Sequence, residues 1–267
     1  MRTDVKVLLL GLTALVIFLT YSLSPVTIGE EDTEIRKADF IALATPAETT
    51  VPDSVALAAS ADSLARAAKE ETFAPDTTPQ KIFFFGDSMV DYLGRPFESY
   101  AAKNGHQIES VVWFSSTTQH WAQTDTLQYF LRKFDPTYIV ICLGSNEVEA
   151  KDIQRRQKWV QEIQQKLGDL PYVWVSPPNW TDEDGFTNMI RETVGTNRYF
   201  ESSYLTLERG PDHKHPTYDA AVGWMDTVAR WMQSKANRHA IIMEKPEETV
   251  RVTHLQMLKP YKLRKKK

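Results

Sequence analysis

Residues 81–88 read KIFFFGDS, an isoleucine and three phenylalanines followed at once by a glycine, an acid and a hydroxyl. A short continuous apolar run of this kind is typical of a β-strand covered on both faces. Residues 89–103 then show helical spacing and end at Asn104-Gly105, where glycine tolerates the left-handed conformation of a helix C-cap. A buried strand followed by a helix predicts one unit of a parallel sheet.

The same alternation of buried strand and helix continues as far as residue 232. It predicts a fold of the α/β class, a three-layer sandwich in which a mostly parallel sheet of about five strands is flanked by helices. Residues 176–207 are expected to be less regular. The predicted strands are 82–85, 108–114, 138–143, 171–175 and 199–200, and the predicted helices are 89–103, 121–133, 152–167 and 218–232.

The composition excludes several classes of protein. Of the 267 residues, 42% are hydrophobic and 25% are charged, which excludes a wholly disordered chain. With a net charge of −4 and no basic, aromatic-rich patch in the body of the chain, no nucleic-acid partner is expected. The single cysteine, Cys142, excludes an intramolecular disulfide and a cysteine-based zinc site, and its apolar neighbours predict a buried thiol.

The first 24 residues combine a charged start with a long apolar run. Arg2 and Lys6 precede the uncharged residues 7–19, and the apolar character persists to Leu23. Two interpretations are open, a cleaved signal peptide and an uncleaved signal anchor. The length of the run and the lack of an Ala-x-Ala cleavage site favour an anchor in the inner membrane. Either interpretation predicts export to the cell envelope or periplasm.

The rest of the chain divides by composition into three parts. Residues 25–79 are rich in Thr, Ala, Pro and acidic residues and poor in aromatics, which predicts a stalk or linker. Residues 80–236 hold the predicted α/β domain. Residues 237–267 form a C-terminal extension, in which 241–243 and 250–252 either add an edge hairpin or wrap the surface. Its basic end is interpreted as a solvated tail, with attachment to anionic lipid or polysaccharide as the alternative.

Four short polar loops are expected at one edge of the sheet, the edge at which open α/β folds bind their ligands. Three of them follow predicted strands, and the fourth precedes the last helix. Together they offer a serine, an asparagine, an aspartate and a histidine, the side chains that acyl transfer needs. The loops are 86–88, 115–119, 144–147 and 212–217.

The chemistry of these side chains suggests their roles. The Ser88 hydroxyl is a poor nucleophile until a base takes its proton, and His215 is the candidate base. Asp212, three residues earlier, is placed to orient His215 and to stabilise its charged form. The Ser88 N–H and the Asn146 side chain are candidate donors to a developing oxyanion. Trp180, in the loop after the fourth predicted strand, either contacts substrate or packs in the core.

Three of the loops resemble sequence blocks of the SGNH (GDSL-type) hydrolases, and the chain is similar to an exported or membrane-anchored bacterial member of that family. The resemblance covers about residues 80–236. It implies a flavodoxin-like sheet, a Ser88 nucleophile with His215 as base and Asp212 as orienting acid, and no metal or organic cofactor. The matching blocks are Gly86-Asp87-Ser88, Gly144-Ser145-Asn146-Glu147 and Asp212-His213-Lys214-His215-Pro216.

The resemblance departs from the family in the loop after the second predicted strand. The family usually places a glycine there, and the oxyanion hole that the resemblance implies combines the N–H of this loop with the Ser88 N–H and the Asn146 side chain. Here the loop reads Ser115-Ser116-Thr117-Thr118, with no glycine. We expect the Ser116 N–H to take this place.

Three functions are consistent with the pattern. The first is an exported serine esterase that removes acetyl or other short acyl groups from a carbohydrate, a cell-wall polymer or a lipid. The alternative is an O-acyltransferase of an envelope polysaccharide that uses the same triad. The third is a non-catalytic polysaccharide-binding module that keeps the fold. The acceptor of the acyl group, water or sugar, separates the first two, and substitution of Ser88 separates both from the third.

Overall fold

The computed structural model describes residues 73–182, 185–250 and 254–263. Its strands are β1 (Lys81–Gly86), β2 (Gln107–Trp113), β3 (Tyr138–Cys142), β4 (Tyr172–Val175), β5 (Tyr199–Phe200) and β6 (Leu255–Leu258). They form one six-stranded sheet in the order β5-β4-β3-β1-β2-β6, and all neighbouring strands are parallel. The predicted α/β fold is confirmed, with a sheet that is parallel throughout.

β1 lies at the centre of this sheet, between β2 and β3. Ile82 is paired with Ile108 of β2 and with Tyr138 of β3. The three phenylalanines at 83–85 have no exposed surface. The continuous apolar run in the sequence therefore reflects burial on both faces of a central parallel strand.

Helices cover both faces of the sheet, and alternate residues of β1 point to opposite cores. Phe84 packs in a core with α1 (Met89–Lys103) and α6 (Tyr218–Met232), where its ring centre is 5.3 Å from that of Phe97. Phe85 packs in the other core, 4.5 Å from the ring centre of Trp121. The helices are α1 (Met89–Lys103), α2 (Thr118–Gln123), α3 (Thr126–Phe134), α4 (Ile153–Leu167), α5 (Phe186–Val194) and α6 (Tyr218–Met232).

Two regions differ from the predicted elements. The single helix predicted over 121–133 is two helices, because Thr124 adopts an extended backbone between α2 and α3. The region 176–207, predicted to be less regular, contains α5 between Gly185 and Gly195. Both glycines have a positive φ, so the chain turns sharply at each end of α5. α5 then packs on the same core as α4.

The chain after residue 236 also contributes to the fold. β6 pairs with residues 110–113 of β2 and forms one edge of the sheet. Ile241 and Met243 are buried in the core beside α1 and α6. The segment interpreted as a C-terminal extension thus supplies a parallel edge strand and two core side chains.

The predictions for residues 1–72, which include the apolar N-terminal segment and most of the stalk, lie outside the described residues, as does the basic end of the chain from residue 264. Among the helices that the structure describes, none is both long enough and apolar enough to cross a membrane. Cys142 is buried in β3, as predicted.

Candidate active site

The loop that carries Ser88 is held where β1 and β3 approach each other closely. β1 ends at Gly86, and Ser88 is the N-cap of α1. A Cβ atom at Gly86 would lie 1.7 Å from the carbonyl oxygen of Cys142, so only glycine fits at this point. The Asp87 N–H donates to the same carbonyl over 3.1 Å. This contact brings Ser88 to the mouth of a cavity that it shares with Asn146.

Ser88, His215 and Asp212 form one hydrogen-bonded chain. Ser88 Oγ lies 2.7 Å from His215 Nε2, and His215 Nδ1 lies 2.5 Å from Asp212 Oδ2. A carboxylate only accepts hydrogen bonds, so Nδ1 carries the ring proton. Nε2 is then left to accept the proton of the serine hydroxyl. The fold therefore brings together two residues that are 127 positions apart in the sequence.

Asp212 is held in its ionised form by hydrogen bonds. The pKa of its carboxyl lies well below the usual range, first because the His215 side chain donates to it. The backbone N–H groups of Lys214 and His215 also donate, each over 3.0 Å, to Asp212 Oδ1. The side chain is nevertheless 49% exposed, so solvent reaches the acid of this chain of hydrogen bonds.

The loop that carries Asp212 and His215 is anchored by Arg209. The guanidinium donates to the carbonyl of Lys214 over 2.7 Å and to that of Asn179 over 2.8 Å. Within the loop, the Gly210 N–H donates to the carbonyl of His215 over 2.8 Å. The loop is thereby tied to the chain that follows β4.

Asp87 ties the Ser88 loop to the Asn146 loop. Its side chain has no exposed surface, and burial raises the pKa of its carboxyl. One oxygen accepts from the Met89 N–H over 3.0 Å, and the other accepts from the N–H groups of Gly144 and Ser145 over 3.0 and 2.9 Å. Asp87 therefore caps the start of α1 and holds the end of β3 against it.

Asn146 and Ser116 were both predicted as oxyanion donors, but only Asn146 keeps a hydrogen that is not already donated within the protein. Asn146 Nδ2 donates one hydrogen to the Ser116 carbonyl over 2.9 Å, which leaves its second hydrogen. The Ser116 N–H donates to the Trp113 carbonyl over 3.0 Å, and the residue is completely buried. The structure therefore does not leave the Ser116 N–H free as the expectation requires, because a turn already uses that hydrogen.

Ser115 has the backbone conformation that a glycine would take. Its φ is +59°, in the left-handed region that favours glycine, although the loop contains none. Ser115 is exposed, and among the described residues its N–H has no hydrogen-bond partner. The loop thus keeps a free N–H at Ser115, directly before Ser116.

Glu147 joins the Asn146 loop to the start of α2. Its carboxylate accepts from the Thr118 N–H over 2.7 Å and from the Thr118 hydroxyl over 2.8 Å, and it forms an ion pair with Arg156. The side chain is buried, and burial raises the pKa of its carboxyl. The loops that follow β2 and β3 are therefore joined by a buried charge.

The cavity beside Ser88 has a volume of about 330 Å³. Trp180, the predicted substrate contact, lines it together with Ser88, Asn146 and His215. The Trp180 ring is held from two sides, since Nε1 donates to the Ser145 carbonyl over 3.2 Å and Lys214 Nζ lies 4.2 Å from the ring centre. The structure thus places every predicted site residue except Ser116 around this cavity or in the hydrogen-bonded chain beside it.

Sequence reasoning missed Tyr92, which packs directly against His215. The two rings are stacked with their centres 5.2 Å apart. The signal was present in the spacing, because Tyr92 follows Ser88 by four residues and a helix brings such positions to one side.

Other parts of the described structure offer no second centre of this kind. A larger cavity of about 690 Å³ lies where β1 and β2 begin, and none of the predicted site residues lines it. Among the described residues, no group of three or more His, Cys, Asp or Glu side chains is arranged to hold a metal ion.

Neither a family model nor a curated protein sequence matches the chain. Solved structures of three other proteins are similar at a distance. An acetyl xylan esterase is 18% identical with a TM-score of 0.47, over 55% of this chain and 97% of its own. A gut microbial diltiazem-metabolizing enzyme is 15% identical with a TM-score of 0.43, over 61% of this chain and 49% of its own. A G-D-S-L family lipolytic protein from Desulfitobacterium hafniense DCB-2 is 13% identical with a TM-score of 0.40, over 57% of this chain and 98% of its own.

Proposed function

We propose that this chain is a serine hydrolase of the SGNH (GDSL) type that cleaves acyl esters. The observation that carries the proposal is the hydrogen-bonded chain of Ser88, His215 and Asp212, with distances of 2.7 and 2.5 Å. A hydroxyl, a base and an ionised acid in this order form the arrangement that activates serine for attack on a carbonyl carbon. The sequence blocks that resemble the SGNH hydrolases contain the same three residues.

The geometry supports a two-step reaction. Ser88 Oγ attacks the ester carbonyl while its proton passes to His215 Nε2, and Asp212 stabilises the resulting imidazolium. The imidazolium then gives the proton to the departing alcohol, which leaves the acyl group on Ser88. A water molecule then attacks the acyl carbon while its proton passes to His215 Nε2. The bond from the acyl carbon to Ser88 Oγ breaks, the imidazolium returns the proton to Oγ, and the carboxylic acid leaves.

The negative charge on the carbonyl oxygen needs donors that are already in place. The candidates are the Ser88 N–H at the start of α1, the second hydrogen of Asn146 Nδ2, and the Ser115 N–H in place of that of Ser116. The 15-residue helix α1 adds a favourable dipole at its N-terminus. Removal of one such donor typically lowers kcat by about 10² to 10³.

The exposure of the site favours an acyl group carried on a large substrate. Asp212 is half exposed, Asn146 is exposed, and Trp180 lines the cavity beside them. An open site of this kind gives an acyl group on a polymer or at a surface room to reach Ser88. We therefore propose acetyl or short acyl esters of a carbohydrate, a cell-wall polymer or a lipid as substrates. Export and anchoring through the N-terminal segment are part of this proposal and rest on the sequence of residues 1–24.

The test follows the acyl group. The purified full-length chain is mixed with an activated acetyl ester, acetate release is followed, and intact-mass spectrometry detects the acetyl group on Ser88. We expect Ser88→Ala to lower turnover by several orders of magnitude. Ser203→Ala, at an exposed serine on the chain after β5, serves as the matched control and should retain it. Equal turnover by Ser88→Ala and the parent would contradict the proposal.

A second arm of the experiment contains acceptor sugars. Release of acetate to water identifies an esterase, whereas discharge of the acyl-enzyme mainly onto sugar identifies the O-acyltransferase. A chain that binds polysaccharide equally well with and without the Ser88 hydroxyl, and that never becomes acetylated, would be the binding module.

A further inference from the structure

Four side chains are stacked in a row that begins at His215, the proposed base. The His215 ring is stacked on Tyr92, with an interplanar angle of 18° and 5.2 Å between ring centres. The other partner of Tyr92 is Tyr218, whose ring centre is 5.0 Å away at an angle of 26°. The Arg95 guanidinium lies 4.6 Å from the Tyr218 ring centre and donates to Asp91 over 3.1 Å. The imidazole is therefore backed by an ordered row of planar groups.

The members of this row come from both sides of the site. Tyr92 and Arg95 belong to α1, the helix that Ser88 begins. Tyr92 follows Ser88 by about one helical turn, so the two side chains lie on the same side of α1. Tyr218 is the first residue of α6 and follows His215 by three positions. The stack thus joins the helix of the nucleophile to the chain that carries the base.

Asp212 cannot make this connection, because it belongs to the same loop as the base. Its carboxylate accepts from His215 Nδ1 and from the backbone N–H groups of Lys214 and His215. These bonds fix the imidazole relative to its own loop. Arg209 ties that loop to the chain after β4 and not to α1. The distance from His215 Nε2 to Ser88 therefore depends on contacts that reach across to α1.

We infer that Tyr92 is the positioning residue that sets this distance, by stacking on His215 from the helix of the nucleophile. The inference rests on the proposed function, since it concerns the reach of the proposed base. It assigns the role to the ring of Tyr92 and not to its hydroxyl. It also predicts that Tyr218 acts through Tyr92, because it supports the far side of that ring.

The inference predicts a specific kinetic change in the full-length chain. Formation and hydrolysis of the acyl-enzyme both need a proton transfer through His215 Nε2, so a displaced base slows both steps together. Tyr92→Leu should lower kcat about tenfold to a hundredfold, the scale of a displacement of about 1 Å in a reacting group. KM should stay within a factor of about two, because it depends on the ratio of these two steps.

Two matched variants distinguish loss of the Tyr92 ring from loss of its hydroxyl and from the general effect of replacing a tyrosine by leucine. Tyr92→Phe keeps the ring and should keep at least about half of the parent kcat. Tyr129→Leu removes an exposed tyrosine from α3, away from the site, and should leave kcat and KM unchanged. A Tyr92→Leu enzyme with the parent kcat, or a Tyr92→Phe enzyme as impaired as Tyr92→Leu, would overturn the inference.

A double-mutant cycle between Tyr92 and Tyr218 provides a second test, which does not rest on the Tyr92→Leu variant alone. Tyr218→Leu should lower kcat about twofold to tenfold in the parent and should have no further effect in Tyr92→Leu. If Tyr92→Leu does not fold, a fall in kcat at constant KM in Tyr218→Leu supports the inference, and an unchanged kcat overturns it. Failure of the proposed function is distinguished by Ser88→Ala, which would then keep full turnover.

Discussion

At the scale of single residues, the conformation of Ser115 decides which backbone hydrogen of its loop stays free. A left-handed residue normally costs about 1–2 kcal/mol unless it is glycine, so a serine held there indicates that the loop needs the shape. The same turn uses the Ser116 N–H internally, through the Trp113 carbonyl. The Ser115 N–H, which has no partner among the described residues, is therefore the candidate oxyanion donor of this loop.

Backbone substitution tests this assignment. An ester in place of the amide at Ser115, made by incorporating the matching hydroxy acid, replaces the N–H by an oxygen and keeps the side chain. We expect kcat to fall by about 10² to 10³ with the fold retained, as for the loss of an oxyanion donor. The same exchange at Ser116 removes the hydrogen bond to Trp113 and should cost stability of about 1 kcal/mol while kcat stays near that of the parent. The assignment fails if the Ser116 ester is the slower enzyme.

At the scale of elements, the site depends on carboxylates that join loops to one another. Asp87 holds the end of β3 against the start of α1, and Glu147 holds the loop after β3 against the start of α2. Both carboxylates are buried, so each must keep its donors to offset the loss of hydration. The positions of Ser88, Asn146 and Ser115 relative to one another follow from these two connections.

Glu147→Gln tests the second connection. The amide has no charge to pair with Arg156, which then keeps only its ion pair with Asp152. One of the hydrogen bonds from Thr118 is also lost, because the amide nitrogen cannot accept it. We expect a loss of about 1–3 kcal/mol in the free energy of unfolding, measured by urea titration, and a lower kcat as the loops loosen. Glu149→Gln, at an exposed carboxylate two residues away, should change stability by less than about 0.5 kcal/mol. Equal stability of the two variants would show that the ion pair contributes nothing.

At the scale of the whole molecule, the folded unit extends past the boundary that composition suggested. The Phe114 N–H donates to the Leu258 carbonyl over 3.2 Å, and Trp113 Nε1 donates to the Lys259 carbonyl over 3.0 Å. These bonds hold the end of β2 directly before Ser115. Residues near 258 therefore support both the sheet and the loop of the proposed oxyanion hole.

A chain that ends at residue 236 should fail to fold stably. It lacks β6 and the buried side chains of Ile241 and Met243, each of which contributes about 1.5–3 kcal/mol. The two side chains together contribute about 3–6 kcal/mol, a large part of the about 5–15 kcal/mol by which a small domain is stable. Far-UV circular dichroism during heating measures the outcome, with a chain that ends at residue 263 as the control. A cooperative transition at the same temperature in both chains would contradict this prediction.

The elements that could be predicted are those whose pattern is local. The apolar run of β1 and the glycine caps that follow α1 and α4 appear directly in the sequence, and the fold class followed from them. α5 was missed because it starts at a left-handed glycine instead of a side-chain cap, and β6 because its pairing partner lies in β2, about 145 residues earlier.

The same distinction applies to the site. Ser88, His215 and Asp212 were predicted because their chemistry and spacing are visible in short motifs. Ser115 and Ser116 could not be separated, since the choice depends on a backbone angle and on which carbonyl accepts each N–H. Tyr92 was missed because stacking on His215 depends on the approach of α1 to a loop more than 120 residues away.

The hydrogen bond between Phe114 and Leu258 also has a consequence for the stage of synthesis at which the site can form. A ribosome makes Ser88 long before the strand that holds the end of β2. Until residues 255–258 emerge, the growing chain contains Ser88 but not the edge strand that keeps the neighbouring loop in place. We therefore expect the nascent polypeptide to lack the proposed activity until residues 255–258 have left the ribosome.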